Sequence, residues 1–218
     1  MEPGATPRTT VKRLPEKAVH DADAVSAILA AGLVAHVAVV EGDQPFVIPV
    51  AYAPYGDEIL LHGSSASRAF RLLASGAPTC VTITLLDGLV LARSAFESSM
   101  NYRSVMILGT ARELTGDEKF AAAEALTEHL LPGRWAEIRP PSAQEMKATS
   151  ILAISLAECS VKISAGGPDD VPEDLLDPVY SRVWAGVVPI LESFGPAEAD
   201  ELSGDTPVPH YLADWRRR

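Results

Sequence analysis

Cysteine is scarce in this sequence of 218 residues, which holds only Cys80 and Cys159. Both lie in or beside apolar runs, "PTCVTITLL" and "AISLAECSVKI", so we interpret them as buried small side chains. They give no sign of a disulfide framework or a zinc knuckle. The sequence also lacks His/Asp/Glu spacing for a metal, a GxGxxG fingerprint, a Walker P-loop and the context of a Ser-His-Asp triad.

Long hydrophobic runs and basic blocks are lacking too. No run approaches the ~18 apolar residues of a membrane span, and "MEPGATPRTTVKRLPEK" has no apolar region of a secretory signal. The net charge is −11, and Lys and Arg cluster only at Arg216 to Arg218. Because this field repels nucleic acid and anionic membranes, we expect neither as a partner and predict a cytoplasmic protein.

What the sequence has is β structure in hairpins. The composition, 47% hydrophobic, predicts one core, in a domain over 21–191 between an extended arm (1–20) and a tail (192–218). The predicted strands are 33–40, 45–52, 59–63, 79–86, 87–94, 101–114, 150–158, 159–167 and 184–191. The predicted helices are 21–32, 64–76, 116–131 and a short one in "AQEMKAT". Short turns between strands exclude a doubly wound parallel sheet and favour an antiparallel, closed or partly closed barrel with peripheral helices.

The first candidate site is "LHGSSASRAF", in which a strand ends at His62 and a helix begins among serines. Backbone N–H groups, serine hydroxyls and the Arg68 guanidinium there match the donors that hold a phosphate. An ordinary serine cap with a solvated arginine is the alternative. His62 is either a ligand contact or structural, and His36, inside an apolar strand, is interpreted as a satisfied core or barrel residue.

The second candidate is "NYRS", four polar residues that run into the apolar "VMILG". On a strand, Tyr102 shares a face with Ser104, and Asn101 shares the other with Arg103. They hold a ligand or a partner, or they form a hydrogen-bond network at the sheet rim. Trp184, at the start of the last predicted strand, is either a core residue or the cover of a flat ligand.

These segments resemble a known family. "QPFVIPVAYAPYGDEILLHGSSASRAFRLLASG", "VTITLLDGLVLARSAFESSMNYRSVMILGTA", "LPGR", "AECSVKISAGGPDD" and "WAGVVPI" are similar to the flavin-nucleotide-binding, pyridoxamine-5′-phosphate-oxidase-like proteins. The similarity covers residues 20 to 191 and points to the branch with the nitroimidazole-resistance proteins. It identifies a family more strongly than it identifies any one activity.

The resemblance implies a split β-barrel homodimer that binds FMN between its subunits. Phosphate contacts are carried over to Ser64, Ser67 and Arg68, with His62 and Gly63 lining the site. The isoalloxazine ring is expected along one strand, and the polar quartet is expected to reach the partner's flavin. The remaining residues carried over are Pro49, Val50, Ala51 and Tyr52 along the ring, Asn101, Tyr102, Arg103 and Ser104 in the quartet, and Trp184 near the ring edge.

Two departures bear on specificity. Glu97, Ser98 and Ser99 stand where relatives often have histidines, and Lys162 begins a segment that lacks the second cation of the family's Lys-x-Arg-x-Gly.

The implied function is an FMN-dependent oxidoreductase acting on a small acceptor, with a nitroaromatic as one candidate. FMN is expected over FAD because no second diphosphate motif is visible. The alternatives are a flavin store or sensor, a deazaflavin or haem binder, and an empty barrel used for dimerisation.

Overall fold

A computed structural model of the chain describes residues 2–212. The basic triplet at 216–218 therefore lies outside the described residues, as does the end of the predicted tail. The strands are β1 Ala18–Val19, β2 Val34–Glu41, β3 Gln44–Tyr55, β4 Glu58–Ser64, β5 Thr79–Leu91, β6 Ser99–Gly109, β7 Ala111–Glu113, β8 Thr149–Ser155, β9 Cys159–Ser164 and β10 Gly186–Pro189. The helices are α1 Ala22–Ala31, α2 Arg68–Ala74, α3 Gly116–Leu130, α4 Ala143–Ala148 and α5 Pro172–Leu176.

All ten strands belong to one antiparallel sheet in the order β1-β9-β6-β5-β2-β3-β4-β8-β7, with β10 added to β5. The sheet has two halves, one formed by β1, β9, β6, β5 and β2 and the other by β4, β8 and β7, and two stretches of chain continue from one half into the other. β3 pairs with β2 through Ala51 and with β4 from Tyr52 onward. Only Thr110 separates β6, which pairs with β5 and β9, from β7, which pairs with β8. The sheet of the described residues runs through both places without closing, and the predicted antiparallel split barrel is confirmed.

The core follows from the period of two along the strands. Val37, Val81 and Ile107 point inward and are fully buried, together with Leu61 and Ile154 from the other half. α1 packs Ile28 and Leu29 into the same core. On the opposite side of β4 and β8, α3 buries Ala122 and Leu126 against Leu60, Ile151 and their neighbours. This second cluster builds a separate layer outside the barrel.

Three predicted elements differ in their bounds. The helix expected over 64–76 begins only at Arg68, because the Ser64 hydroxyl accepts the Ala66 N–H and holds a turn before it. α3 ends at Leu130, one residue before the predicted end at 131, and has Thr115 at its N-cap. The two strands predicted over 79–86 and 87–94 form one continuous strand, with a register shift between Leu86 and Gly88 where Asp87 has no partner residue on β6.

The predicted arm lies along the sheet edge. β1 pairs with β9, and the Gly4 N–H donates to the Cys159 carbonyl at 2.7 Å. Lys17 Nζ donates to Ser164 Oγ at 3.0 Å, and Arg8 pairs with Glu158 at 3.0 Å. These contacts supply partners for the outer side of β9. None of the helices between residues 2 and 212 has the length and apolar character needed to cross a bilayer.

Candidate functional site

The outward side of the first half of the sheet is an apolar surface with hydroxyl groups. One row runs in register across five strands, Pro49–His36–Thr82–Met106–Ser160. His36 and Pro49 are exposed, and Thr82 and Met106 are half-buried. We call this surface the outer face and define it by these residues with Val34, Val47, Ala51, Thr84 and Ser104. Of the two interpretations of His36, the core residue is wrong, because its strand neighbours Ala35 and Val37 take the inward positions. His36 is a residue of the barrel wall that faces outward.

The strand expected to lie along a flavin ring divides between two environments. Pro49 and Ala51 lie on the outer face, opposite His36 and Val34. Val50 and Tyr52 point into the core, with 9% and 0% exposure, and the Tyr52 hydroxyl donates to the Leu29 carbonyl at 2.7 Å. A strand cannot present four consecutive side chains on one side. Val50 and Tyr52 are therefore corrected to core residues.

The polar quartet on β6 divides in the same way. Ser104 lies on the outer face, with Tyr102 two positions along the same strand, and Ser104 pairs in register with Thr84. Asn101 donates to the Gly166 carbonyl at 2.9 Å. Arg103 makes a two-pronged salt bridge to the Asp87 carboxylate, at 3.0 and 2.7 Å, and these hydrogen bonds raise the pKa of its guanidinium. Asn101 and Arg103 therefore brace the bulge and the loop after β9 within their own chain.

The serine loop, Gly63 to Arg68, joins β4 to α2. Ser64 accepts the Ala66 N–H, and Ser65 donates to the Ala148 carbonyl at 3.1 Å. The Ser67 hydroxyl makes no hydrogen bond within residues 2–212, although Ser67 is the N-cap of α2. Arg68 lies 3.3 Å from the Glu41 carboxylate and 3.9 Å over the Phe46 ring. Its side chain is 52% exposed, so its unused N–H groups remain accessible to an anion.

Trp184 is not a core residue. It precedes β10 and is 66% exposed, with its ring beside Gly186, where an added Cβ would lie 3.0 Å away. β10 pairs with the C-terminal end of β5, so Trp184 belongs to the segment of chain that follows β9. The sequence left two interpretations of Trp184, a core residue or the cover of a flat ligand. Its exposure excludes the core residue.

Sequence reasoning missed a cavity of about 460 Å³ on the other side of β4. Its floor is His62 and Ile151, a register pair on β4 and β8. One wall is α3, and the other is the segment 135–149, which was predicted as a loop and a short helix. The lining is mostly apolar and includes Leu126, Trp135 and Met146. We call it the His62 cavity.

The His62 cavity places an imidazole against apolar walls. His62 is exposed by its accessible surface, and the partial burial of its ring disfavours the imidazolium and lowers the pKa of His62 below its ordinary value of 6.5. Neither ring nitrogen bonds to any residue between 2 and 212. At the rim, Arg139 donates two hydrogen bonds to Glu145, at 2.8 and 2.6 Å, which hold the pKa of that carboxyl far below its usual range. The capping box of Ser142 and Glu145 fixes this pair, and S-x-x-E was the only sequence signal for it.

Comparison with known proteins identifies the family of the chain. Residues 21–163 match the family model described as pyridoxamine 5′-phosphate oxidase. The chain therefore belongs to the pyridoxamine 5′-phosphate oxidase family, as the sequence motifs predicted. No curated protein matches the sequence.

Three solved structures are informative. The flavocytochrome Anf3 from Azotobacter vinelandii is 39% identical, with 97% of each chain covered and a TM-score of 0.89. The FAD and heme binding protein from Mycobacterium smegmatis is 38% identical, covering 90% of this chain and 96% of that one, with a TM-score of 0.84. A Bacteroides thetaiotaomicron protein described as a 5-nitroimidazole resistance protein is 18% identical over 67% and 86% of the two chains, with a TM-score of 0.57, and shows the fold alone.

Proposed function

We propose that this protein is a flavin-dependent oxidoreductase that binds its flavin between two copies of the chain. The observation that carries the proposal is the outer face. It is an apolar sheet surface bearing hydroxyls, in a fold shared by a 38% identical FAD and heme binding protein. Contiguous apolar surface of this kind marks a place for a ligand or a partner. A flat ring against Pro49 and Ala51, with Ser104 and Thr84 beside it, uses both its apolar and its hydroxyl character.

A second copy of the chain covers the outer face in this proposal. Val34 and Val47 are 46% and 62% exposed in the single chain, and burial of such side chains drives association. Two-fold dimers are also the commonest assemblies of soluble chains, and they place the same surface on both sides. A flavin between the copies would then meet the outer face of one copy and the serine loop of one or the other.

FAD is the first expected ligand, since the Mycobacterium smegmatis relative is named for it. FMN, which the sequence favoured, is the alternative. The serine loop offers Ser67 and Arg68 to a phosphate group. FMN carries one phosphate and FAD carries a diphosphate, so either nucleotide can supply that group. The flavin supplies the redox chemistry when it is bound, and the chain supplies binding, orientation and exclusion of water.

The identity of the ligand is tested by mass spectrometry of what the purified protein releases, after reconstitution with an equimolar mixture of FAD and FMN. Release of FAD supports the proposal in full. Release of FMN keeps the flavin and restores the preference drawn from the sequence. Retention of neither, or of a deazaflavin alone, overturns the proposal.

Turnover is tested separately. The bound flavin is reduced anaerobically with NADPH or NADH, and a nitroaromatic is then added as the acceptor. Bleaching followed by reoxidation supports an oxidoreductase with that class of acceptor. A flavin that dithionite bleaches and neither pyridine nucleotide reduces would instead favour a store or sensor.

The dimer is tested by placing a charge on the outer face. Met106→Arg puts a guanidinium at the centre of the face and is expected to shift sedimentation from dimer to monomer and to lower flavin content. Glu124→Arg, at an exposed position on α3, is the matched control and should leave both unchanged. A folded Met106→Arg protein that remains dimeric and keeps its flavin would place the interface elsewhere.

A further inference from the structure

The His62 cavity and the outer face are two separate places for a planar ligand. His62 and Leu60 point toward α3, whereas Ile59 and Leu61, which alternate with them along β4, point into the barrel core. The cavity is thus a pocket between β4 and α3, in a layer outside the barrel. The resemblance placed His62 beside the flavin phosphate, but its side chain lines the cavity toward α3. The flavin proposal therefore makes no use of its imidazole, of the apolar walls or of the arginine.

We propose that the His62 cavity is a haem site, with the His62 imidazole as an axial ligand of the iron. The proposal goes beyond the flavin proposal, and either can fail without the other. It is motivated by two relatives of 38% and 39% identity, one named as an FAD and heme binding protein and one as a flavocytochrome. Those names assign haem to those proteins, and the pocket is what this chain offers for it.

The imidazole fits the role of a ligand. A haem iron is commonly held by a neutral histidine nitrogen, and burial favours that form in His62. No hydrogen bond within residues 2–212 occupies its nitrogens, so ligation displaces no existing contact. The described residues also hold no cluster of three His, Cys, Asp or Glu side chains suited to a free metal ion. A single imidazole in an apolar pocket suits a metal that brings its other ligands with it.

The walls fit the macrocycle. A volume of about 460 Å³ lies within the range of pockets that bury small-molecule cofactors, roughly 300–1,000 Å³. Leu126 and Ile151 are 4% and 2% exposed, and Trp135 and Met146 are half-buried, so the pocket offers apolar contact to a flat ring. Trp135 is itself held edge-on by Phe120, with ring centroids 5.6 Å apart.

The rim offers one cationic side chain, Arg139, to a carboxylate of haem. The Arg139 guanidinium has five N–H donors, and its hydrogen bonds to residues 2–212 use three of them, two to Glu145 and one to the Pro140 carbonyl. The Nε–H and one Nη2–H therefore have no acceptor within residues 2–212. These two donors form the fork that binds a carboxylate in two-pronged fashion. Its side chain is 70% exposed, so a propionate reaches it from solvent without leaving water entirely.

His36 is the competing ligand. It is exposed at the centre of the outer face, where a haem would lie in the proposed dimer interface. His62 is favoured because it lies in a concave apolar pocket, whereas the outer face is an open sheet surface in the single chain. The two histidines make matched variants, since both are strand residues with accessible rings.

The full-length protein is freed of haem and titrated with haemin, and the Soret band and the flavin band are followed in the same samples. We expect one haem per chain and a loss of affinity on the order of tenfold or more in His62→Gly, with flavin content unchanged. Added imidazole should restore the Soret band in His62→Gly, because it can occupy the space left by the side chain. His36→Ala should bind haemin as the wild type does.

Two further measurements keep the test decisive. Ala123→Phe, which places a ring in the cavity from α3, should block haemin while the flavin band persists. Metal-free protoporphyrin IX should bind with little difference between the wild type and His62→Gly, because it has no iron to ligate. A wild type that binds no haemin, a Soret band unaffected in His62→Gly, or one lost in His36→Ala overturns the proposal. Loss of the flavin band alone speaks only against the flavin proposal.

Discussion

Arg93 holds Asp170 by both its backbone and its side chain. The Arg93 N–H donates to one carboxylate oxygen at 2.6 Å, and its guanidinium donates to the other at 2.5 Å. The Asp170 side chain is 4% exposed, and Arg93 also reaches the Ser181 carbonyl at 3.4 Å. Arg93, two residues beyond the end of β5, thus ties down the segment that follows β9 and carries α5, Trp184 and β10.

Asp170→Asn should loosen that arm. The amide keeps the size of the side chain but loses the charge, and one of its two ends is a donor that faces a donor. Limited proteolysis between residues 165 and 185 should become faster, and the thermal midpoint should fall. Asp169→Asn, at the exposed neighbouring position, is the control and should match the wild type. Equal proteolysis of the two variants would contradict the role given to Asp170.

The same bond sets a pH dependence. The Arg93 backbone hydrogen bond, with the guanidinium, lowers the pKa of Asp170 below its ordinary value of 3.8. A depressed carboxyl pKa stabilises the fold above the unfolded value and loses that contribution as pH falls through the folded value. The difference between wild type and Asp170→Asn should therefore persist at neutral pH and shrink below about pH 4.

Tyr52→Phe tests the assignment of Tyr52 to the core. The hydroxyl is fully buried and donates to Leu29, so its removal should lower the free energy of unfolding by about 0.5–1.5 kcal/mol. Flavin affinity should not change, because the ring lies on the inward side of β3. Tyr55→Phe is the control, since Tyr55 is half-buried and its hydroxyl bonds to no residue within 2–212. Loss of flavin at unchanged stability would return Tyr52 to the binding site.

Gly63→Ala tests how tightly the start of the serine loop packs against Phe70. A Cβ at Gly63 would lie 2.6 Å from Cζ and 2.7 Å from Cδ2 of Phe70, a ring that is 4% exposed in the core. The ring must move, which should destabilise the protein by about 1–3 kcal/mol in urea unfolding. At Gly167 an added Cβ meets nothing within 4 Å, so Gly167→Ala should cost far less. Comparable losses in the two variants would show that Phe70 gives way easily.

The fold was largely predictable from the sequence because hairpin strands are recorded in local patterns. Alternation in "VTITL" and the short turns of the first three strands define the antiparallel pairing. The predictions failed where a tertiary contact determines the burial of a residue or the length of a helix. His36 sits in an apolar run that reads as buried on both sides, but only one side of β2 meets the core. α2 is shorter than its pattern because Ser65 donates both its N–H and its hydroxyl to the Ala148 carbonyl, just before β8.

The site was less predictable, because its parts are brought together over long separations. Arg93 and Asp170 are 77 residues apart, and Asn101 and Gly166 are 65 apart. No local pattern pairs them. The His62 cavity exists only because α3 and the segment after it pack above β4 and β8. Sequence reasoning weighed His62 alone, without the walls that lower its pKa.

Arg68→Ala tests the phosphate contact. If the guanidinium binds a flavin phosphate, the variant should lose about 1.5–3 kcal/mol of FAD or FMN binding, as expected for a charge-assisted hydrogen bond. Riboflavin has no phosphate, so its affinity should barely change. Arg71→Ala, an exposed arginine on the same helix, controls for net charge. Isothermal titration of the three ligands would show equal losses for all if Arg68 acts only through Glu41 and Phe46.

Haemin binding should depend on pH in a way that identifies its ligand. Iron competes with a proton for the His62 nitrogen, and burial lowers the pKa of that imidazole from 6.5. The affinity should therefore stay level down to pH 6.5 and fall only on further acidification. The other ionisable groups of the cavity, Arg139 and Glu145, are paired and keep their charges across this range.

In His62→Gly rescued with imidazole, the ligand enters from water, where no burial has lowered its pKa, so the loss of haemin affinity should begin at higher pH. Soret titrations of the two proteins from pH 8 downward give the comparison. Identical acid limbs would mean that a group other than His62 governs the binding of the iron.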